Sequence, residues 1–436
     1  MTNATKNSFW YLCFNLSRLL VLFIGSMWIS RKLGPEAFGQ FSYFLSVIIY
    51  ISAIDSLCHE SIVKQYVTHN ADTGLVLGTA ATLNAILALA STLFILVFGY
   101  FTIPESIYLV VFFLFIPGQF SKPLNPIANF FDIRLLSKYS SFALFVGAIV
   151  SILFRAISIL YSTDLAYQSL GYSLQTIVYA GTLYWFYKQH LEAVRWKVSF
   201  ELLLEMAKRS FPLFISALLF LSLSQSDIFM IRHMIDIRAV GIYSIVVKLS
   251  EPWVIVSSAL CTSFFPLIFN SSDNKKKQAK YFIRANQLSI YFVVALGITL
   301  SLAINLIISI LLGEQYSEVS GVFRIYIWSI LFFFFANIQH IWEVFHRKYS
   351  VSLVKTACAC FLKIALNFVF GSIFGLKGFA ISSLLTLCFY GLGFNFISKT
   401  TKPYLQLQLS AFKIGESKKN LRFLIRRSRR WLKKEF

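Results

Sequence analysis

From Phe9 to Ile397 the chain is a succession of apolar stretches, each about as long as a helix needs to cross a bilayer, separated by short polar turns. Windows of about 20 residues place spans at 9–30, 40–61, 74–101, 106–130, 140–160 and 167–187, then at 211–231, 239–269, 286–312, 321–342, 350–370 and 379–397. With 57% hydrophobic and 14% charged residues, there is too little polar surface to cover water-soluble domains. Only closed hydrogen-bonding patterns survive in lipid, and these runs are too long and continuous for barrel strands, so the spans are helices. The first follows a short polar head, Met1 to Ser8, with no small-residue cleavage site, and reads as a retained span.

The expected fold is therefore an all-α integral membrane protein. The polar seam Lys188 to Arg209 divides it into a six-helix bundle at 1–187, a cytoplasmic connector at 188–210, a second six-helix bundle at 211–397 and a basic tail at 398–436. Lys and Arg set the orientation. With the N-terminus cytoplasmic, inside segments carry 28 basic residues and outside segments five, with seven more in spans. The N- and C-termini are thus expected inside. The tail, with Lys418-Lys419 and Arg426-Arg427-Ser428-Arg429-Arg430, would lie over anionic membrane lipids, each basic residue gaining about 1 kcal/mol. The outward turns at 102–105, 161–164, 313–320 and 374–378 are only a few residues long. They leave no room for an external domain bearing acid/base groups. The six cysteines fall in or beside apolar runs, where a thiol behaves as a small hydrophobe.

Two echoes disclose an internal repeat. Ala37-Phe38-Gly39-Gln40-Phe41-Ser42 corresponds at an offset of 202 to Ala239-Val240-Gly241-Ile242-Tyr243-Ser244. Lys138-Tyr139-Ser140 corresponds at an offset of 210 to Lys348-Tyr349-Ser350. Six spans being an even number, both halves enter from the same side. This is a parallel repeat about an axis along the membrane normal, with substrate expected between the halves near mid-membrane.

The stretch Leu33-Gly34-Pro35-Glu36-Ala37-Phe38-Gly39-Gln40-Phe41-Ser42-Tyr43 resembles the signature of bacterial polysaccharide-unit flippases of the O-antigen, Wzx type. That family lies within the multidrug/oligosaccharidyl-lipid/polysaccharide exporter superfamily. Similar too are Ser226-Asp227-Ile228-Phe229-Met230, Val240-Gly241-Ile242-Tyr243-Ser244, Gly313-Glu314-Gln315-Tyr316, Ala365-Leu366-Asn367 and Phe374-Gly375-Leu376-Lys377-Gly378-Phe379-Ala380. The resemblance covers nearly the whole chain through loose patterns that mark the fold better than the cargo. It implies twelve helices in a V around a central cavity, which carry undecaprenyl-pyrophosphate-linked oligosaccharide from the cytoplasmic to the periplasmic leaflet of the inner membrane by alternating access. Polysaccharide polymerase and chain-length machinery are the protein partners it implies.

Charges within spans face an interior or a wet cavity and are functional candidates. A rise of 1.5 Å per residue puts Arg18 and Lys248 roughly 13 Å deep, and Arg155 and Lys363 at about 20 Å in the fifth and eleventh spans. These four form the expected cationic cavity, suited to a pyrophosphate; alternatively, cations pair off with acids, as Lys248 with Glu251 at i,i+3. Lys355, Lys122 and Arg324, nearer span ends, are read as snorkelling. Asp227 and Glu251 are candidates for coupling to an H+ or Na+ gradient, and Tyr243 and Trp253 for sugar contacts. Pro252 and the group Pro117, Pro123 and Pro126 mark kinks. No nucleotide loop of the G-x-x-x-x-G-K-[ST] type is present. No other cofactor or metal is expected. Two alternatives stay open. One is a small-molecule or drug antiporter of the same superfamily, which would bind a cationic drug. The other is a polymerase or acyltransferase of surface glycans, which would depend on a single histidine or carboxylate. The six histidines do not cluster in sequence.

Overall fold

The computed structural model describes residues 3–68, 72–102, 106–190, 195–271 and 274–412. Among them every regular element is helical. In chain order these are α1 (Asn3–Ile51), α2 (Glu60–Thr68), α3 (Thr73–Thr102), α4 (Ser106–Phe113), α5 (Ile116–Gln119), α6 (Pro126–Ile133), α7 (Ser137–Tyr161), α8 (Leu165–His190) and α9 (Phe200–Met234). They continue with α10 (Ile237–Phe269), α11 (Lys275–Leu311), α12 (Val319–Tyr326), α13 (Ser329–Phe345), α14 (Tyr349–Phe374), α15 (Leu376–Cys388), α16 (Phe394–Ile397) and α17 (Lys402–Ala411).

Nine stretches among the described residues are long and apolar enough to cross a membrane. The longest, Cys13–Thr68, bends at Gly34, whose φ of 79° and ψ of 168° are open to a residue without Cβ. Pro35 then starts the next helical run, since its missing N–H is not needed there. This one stretch thereby covers the first two expected spans. The expected fourth span is instead broken into α4, α5 and α6, because Pro117, Pro123 and Pro126 each remove a backbone donor. The sixth, α8, is long enough but more polar along its length, carrying Gln168, Ser169, Ser173 and Gln175. By contrast α10 runs on through both Pro252 and Pro266.

The described residues divide into two compact units, those up to 244 with 310–316, and 245–309 with those from 317 onward. Unit 1 centres on aromatic packing of Phe41, Phe44, Phe112 and Phe115, with a second cluster of Ile127, Phe130, Phe131 and Leu183. Unit 2 packs Phe264, Phe282, Trp342 and Tyr404. The segment read as a connector is largely structured. From Phe200 it is already α9, with Ser199 capping the helix. Residues 195–199 lie along the start of α3, where the Lys197 amide donates to the Gly74 carbonyl at 3.2 Å and the Ser199 amide to Thr79 Oγ1 at 3.1 Å. Residues 402–411, read as tail, form α17 with Tyr404 and Gln408 fully buried in unit 2. The basic run Lys418 to Arg430 lies outside the described residues.

Candidate functional site

Unit 1 contains the repeat in physical contact. A Cβ on Gly39 would overlap the carbonyl oxygen of Ile237, and a Cβ on Gly241 would overlap that of Pro35. Pro35 and Ile237 are themselves 202 positions apart, like Gly39 and Gly241. The two helix starts therefore cross by a reciprocal exchange of backbone contacts that only glycine permits. Residues 310–316 close over the same bend. Gln315 Nε2 donates to the Arg31 carbonyl at 2.7 Å, the Tyr316 hydroxyl to the Ser30 carbonyl at 3.0 Å, and Arg31 Nη1 to the Ile310 carbonyl at 2.6 Å.

The four expected site residues in unit 1 take three distinct environments. Arg155 on α7 is 6% exposed. Its Nε donates to Gln168 Oε1 on α8 at 3.0 Å and its guanidinium lies 4.9 Å from the centre of the Phe41 ring. The missing side chain at Gly171 leaves room for its stem. Neither the amide nor the ring is charged, and no carboxylate pairs with Arg155 among the described residues. Arg18 on α1 is half-buried, flanked electrostatically by Tyr11 and Tyr179, and its Nε is buried without a hydrogen-bond partner among the described residues. A buried guanidinium donor left unmatched is costly unless a ligand or water meets it. Asp227, by contrast, accepts from the Tyr243 hydroxyl at 2.7 Å. Tyr243 is completely buried, so the expected coupling residue and one of the two expected sugar contacts are bonded to each other.

In unit 2, Lys363 on α14 is 4% exposed and donates to the Ser383 hydroxyl on α15 at 2.5 Å. Arg155 and Lys363 thus share an arrangement: a buried cation of one helix bonded to a neutral side chain of the helix that follows. Lys248 is half-buried and Glu251 exposed. The alternative reading, an i,i+3 ion pair between them, does not form among the described residues. Trp253 packs 6.5 Å from the Phe292 ring, centre to centre.

Two readings require correction. Lys122 does not snorkel: its Nζ sits 2.6 Å from Asp55 Oδ2 and 3.4 Å from Ser52 Oγ. The pair joins two short 3-10 segments, Ser52–Cys58 and Lys122–Leu124. Lys355 does not snorkel either. It is buried, 2.8 Å from Glu343 Oε1, because a carboxylate on the adjacent helix satisfies it better than a long stretch to the interface. Glu343 falls one residue beyond the span expected at 321–342, so sequence alone does not count it among the in-span acids. Arg324 is exposed and donates to the Ser301 carbonyl at 3.2 Å. Among the described residues no group of histidine, cysteine or acidic side chains has the arrangement of a metal site.

Comparison with known proteins places this geometry in context. A search of curated sequences found no match. Solved structures do match over most of the chain. An inward-facing multidrug resistance MATE family transporter of the MOP superfamily gives a TM-score of 0.75 at 13% identity, covering 91% of this chain and 96% of that one. The lipid II flippase MurJ in an inward closed conformation gives 0.71 at 14% identity, covering 92% and 90%. At such identities the likeness establishes a shared multi-helix membrane fold. Sequence adds the family: residues 4–272 match the model described as polysaccharide biosynthesis protein. A match over more than half its length, on a chain with the fold of MOP superfamily transporters, establishes that this protein belongs to the polysaccharide biosynthesis protein family.

Proposed function

We propose that the protein is a flippase that moves undecaprenyl-pyrophosphate-linked oligosaccharide units, of O-antigen or a similar surface polysaccharide, from the cytoplasmic to the periplasmic leaflet of the inner membrane by alternating access. On this reading both termini are cytoplasmic. The observation that carries it is the state of Arg18 and Arg155: two guanidinium groups inside apolar spans, one with a buried donor unmatched among the described residues and one bonded to a neutral amide. A membrane interior tolerates such cations where they serve a pathway, and a guanidinium matches phosphate oxygens in a two-pronged geometry that an ammonium lacks. Unit 2 carries its own in-span cations, Lys248 and Lys363, and positive charge within the spans disfavours a cationic drug. The protein's family supports a polysaccharide cargo, and MurJ, whose fold the chain shares, is a flippase of lipid II.

The test uses cells that lack their own flippase, complemented with the full-length protein and assayed for surface polymer. Arg18→Gln, and the double change Arg155→Gln with Lys363→Met, are each expected to abolish polymer while the protein inserts at normal levels. Arg18→Lys retains the charge and should keep partial export. Normal polymer in both neutralised variants overturns the reading, as does binding of a cationic drug by the purified protein with no effect on lipid-linked sugar.

A further inference from the structure

Unit 2 holds a buried acid–base cluster that the transport reading does not use. Glu343, near the end of α13, and Lys355, in the second turn of α14, are each 1% exposed at the side chain. Glu343 Oε1 accepts from Lys355 Nζ at 2.8 Å and from Gln339 Nε2 at 2.8 Å. Amide to amide, the chain continues from Gln339 to Asn395 at 3.0 Å, from Asn395 to Gln408 of α17 at 2.9 Å, and from Gln408 to the Gly391 carbonyl at 2.8 Å. That carbonyl belongs to a π-helical turn, Phe389–Gly393, of the kind that often marks a functional site. The other carboxylate oxygen, Oε2, is buried and accepts no hydrogen bond among the described residues. It faces His340 Nδ1 at 3.8 Å, and that imidazole is 64% exposed. The titratable groups facing Glu343 are His340 from its own helix, Lys355 from α14 and Tyr404 of α17, while the ring of Tyr390, in the π turn, lies 4.6 Å from the Lys355 ammonium.

We propose that Glu343 is a proton-binding site of unit 2. It is a carboxylate while Lys355 is seated on it and a neutral acid, loaded through His340, once α14 draws Lys355 away. A lone carboxylate buried among apolar helices neutralises itself by taking up a proton, whereas an ammonium at 2.8 Å holds it charged. Proton affinity and helix position are therefore linked, and each biases the other by the same factor. In the loading step the Nδ1–H bond of a protonated His340 breaks as an O–H bond forms on Oε2, the imidazole becoming neutral and regaining a proton from solvent. One proton is taken up in total and Lys355 keeps its own. This deepens the transport reading by giving the cycle a proton as second passenger, but the site itself can be measured without any cargo.

The purified full-length protein in detergent is titrated while the protonated-carboxyl stretch is followed by infrared difference spectroscopy. In wild type the band that Glu343→Gln removes should emerge only at low pH. In Lys355→Met it should emerge at a midpoint at least about one pH unit higher, a tenfold gain in proton affinity. His340→Ala should leave that midpoint in place and slow its deuterium exchange. A band indifferent to Glu343→Gln, or a midpoint indifferent to Lys355→Met, overturns the proposal. If Lys355→Met fails to fold, the wild-type titration against Glu343→Gln decides, and absence of a Glu343-dependent band overturns it. A second arm separates proton chemistry from scaffolding. The neutral pair Glu343→Gln with Lys355→Met, inserted normally, should lose surface polymer; export at the wild-type rate would reduce the cluster to packing and overturn the proposal. If the infrared shifts hold while the wild-type protein itself fails to restore polymer, the flippase reading falls and the proton site stands.

Discussion

Gly39 and Gly241 hold α1 and α10 closer than any side chain permits, since a single added carbon at either would run into a backbone carbonyl. Backbone cannot step aside as a flexible side-chain tip does. Gly241→Val is accordingly expected to destabilise the protein by about 1–3 kcal/mol, with Ser244→Ala one turn away as the mild control. Thermal unfolding in detergent measures the difference. These glycines are legible in the sequence as a repeated motif, although nothing in the letters shows that the two copies touch. The burial of Arg155 and Lys363 is legible because a charge inside a long apolar run faces an interior. Glu343 is not, because a window of fixed length cuts the helix one residue too soon, and Asn395 and Gln408, which extend its chain of hydrogen bonds beyond Gln339, come from segments that only the tertiary fold brings together. Lys122 and Lys355 mislead for a related reason: distance from a span end permits snorkelling, but a carboxylate within reach on a neighbouring segment prevails.

At the scale of elements, apolar length locates the helices well because the bilayer leaves the backbone no alternative. Interruptions are harder to foresee. The proline-rich fourth span breaks into three short helices, whereas α10 absorbs two prolines without a break, so the residue alone does not decide whether a helix survives it. The segment 195–199 has the composition of a polar tether and proves to be fastened to α3. Part of that fastening is electrostatic. Lys197 Nζ lies 3.1 Å from Asp72 Oδ2 and the Gly74 amide donates to Asp72 Oδ1 at 2.9 Å. Together, with Lys197 the larger influence, they hold the Asp72 carboxyl below the usual carboxylate range. A depressed acid lends its support above its unfolded-state value, about 3.9, and loses it as pH falls through the lower folded-state value. Protection of the Lys197 amide in hydrogen exchange is therefore expected to stay level above about pH 5 and to decline below about pH 4. In Asp72→Asn that decline should vanish, protection being low throughout.

For the molecule as a whole, α17 divides the C-terminal region into two roles. Residues 402–411 belong to the body of unit 2: Tyr404 lies in its aromatic core, accepts from Asn286 Nδ2 at 3.3 Å, and is joined there by Gln408. The basic residues beyond Phe412 lie outside the described residues, and we propose that their charge meets an anionic lipid surface. Ending the chain after Phe412 should leave the melting temperature within a degree or two, by the scale on which about 1 kcal/mol shifts a large domain by 2–4 °C, while binding to vesicles rich in anionic lipid weakens. Ending it after Ile397 should lower the melting temperature sharply, because Tyr404 and Gln408 go with it. Retained vesicle binding in the first truncation would assign the surface charge elsewhere.

The crossing at Gly39 and Gly241 also speaks to descent. A contact in which each position repays its counterpart in kind is isologous, the form taken by two identical subunits about a dyad. A half-length ancestor bearing one such glycine would already have paired with its own copy at this place. Fusing two such copies end to end would leave this contact as it was and call for no new complementary surface here.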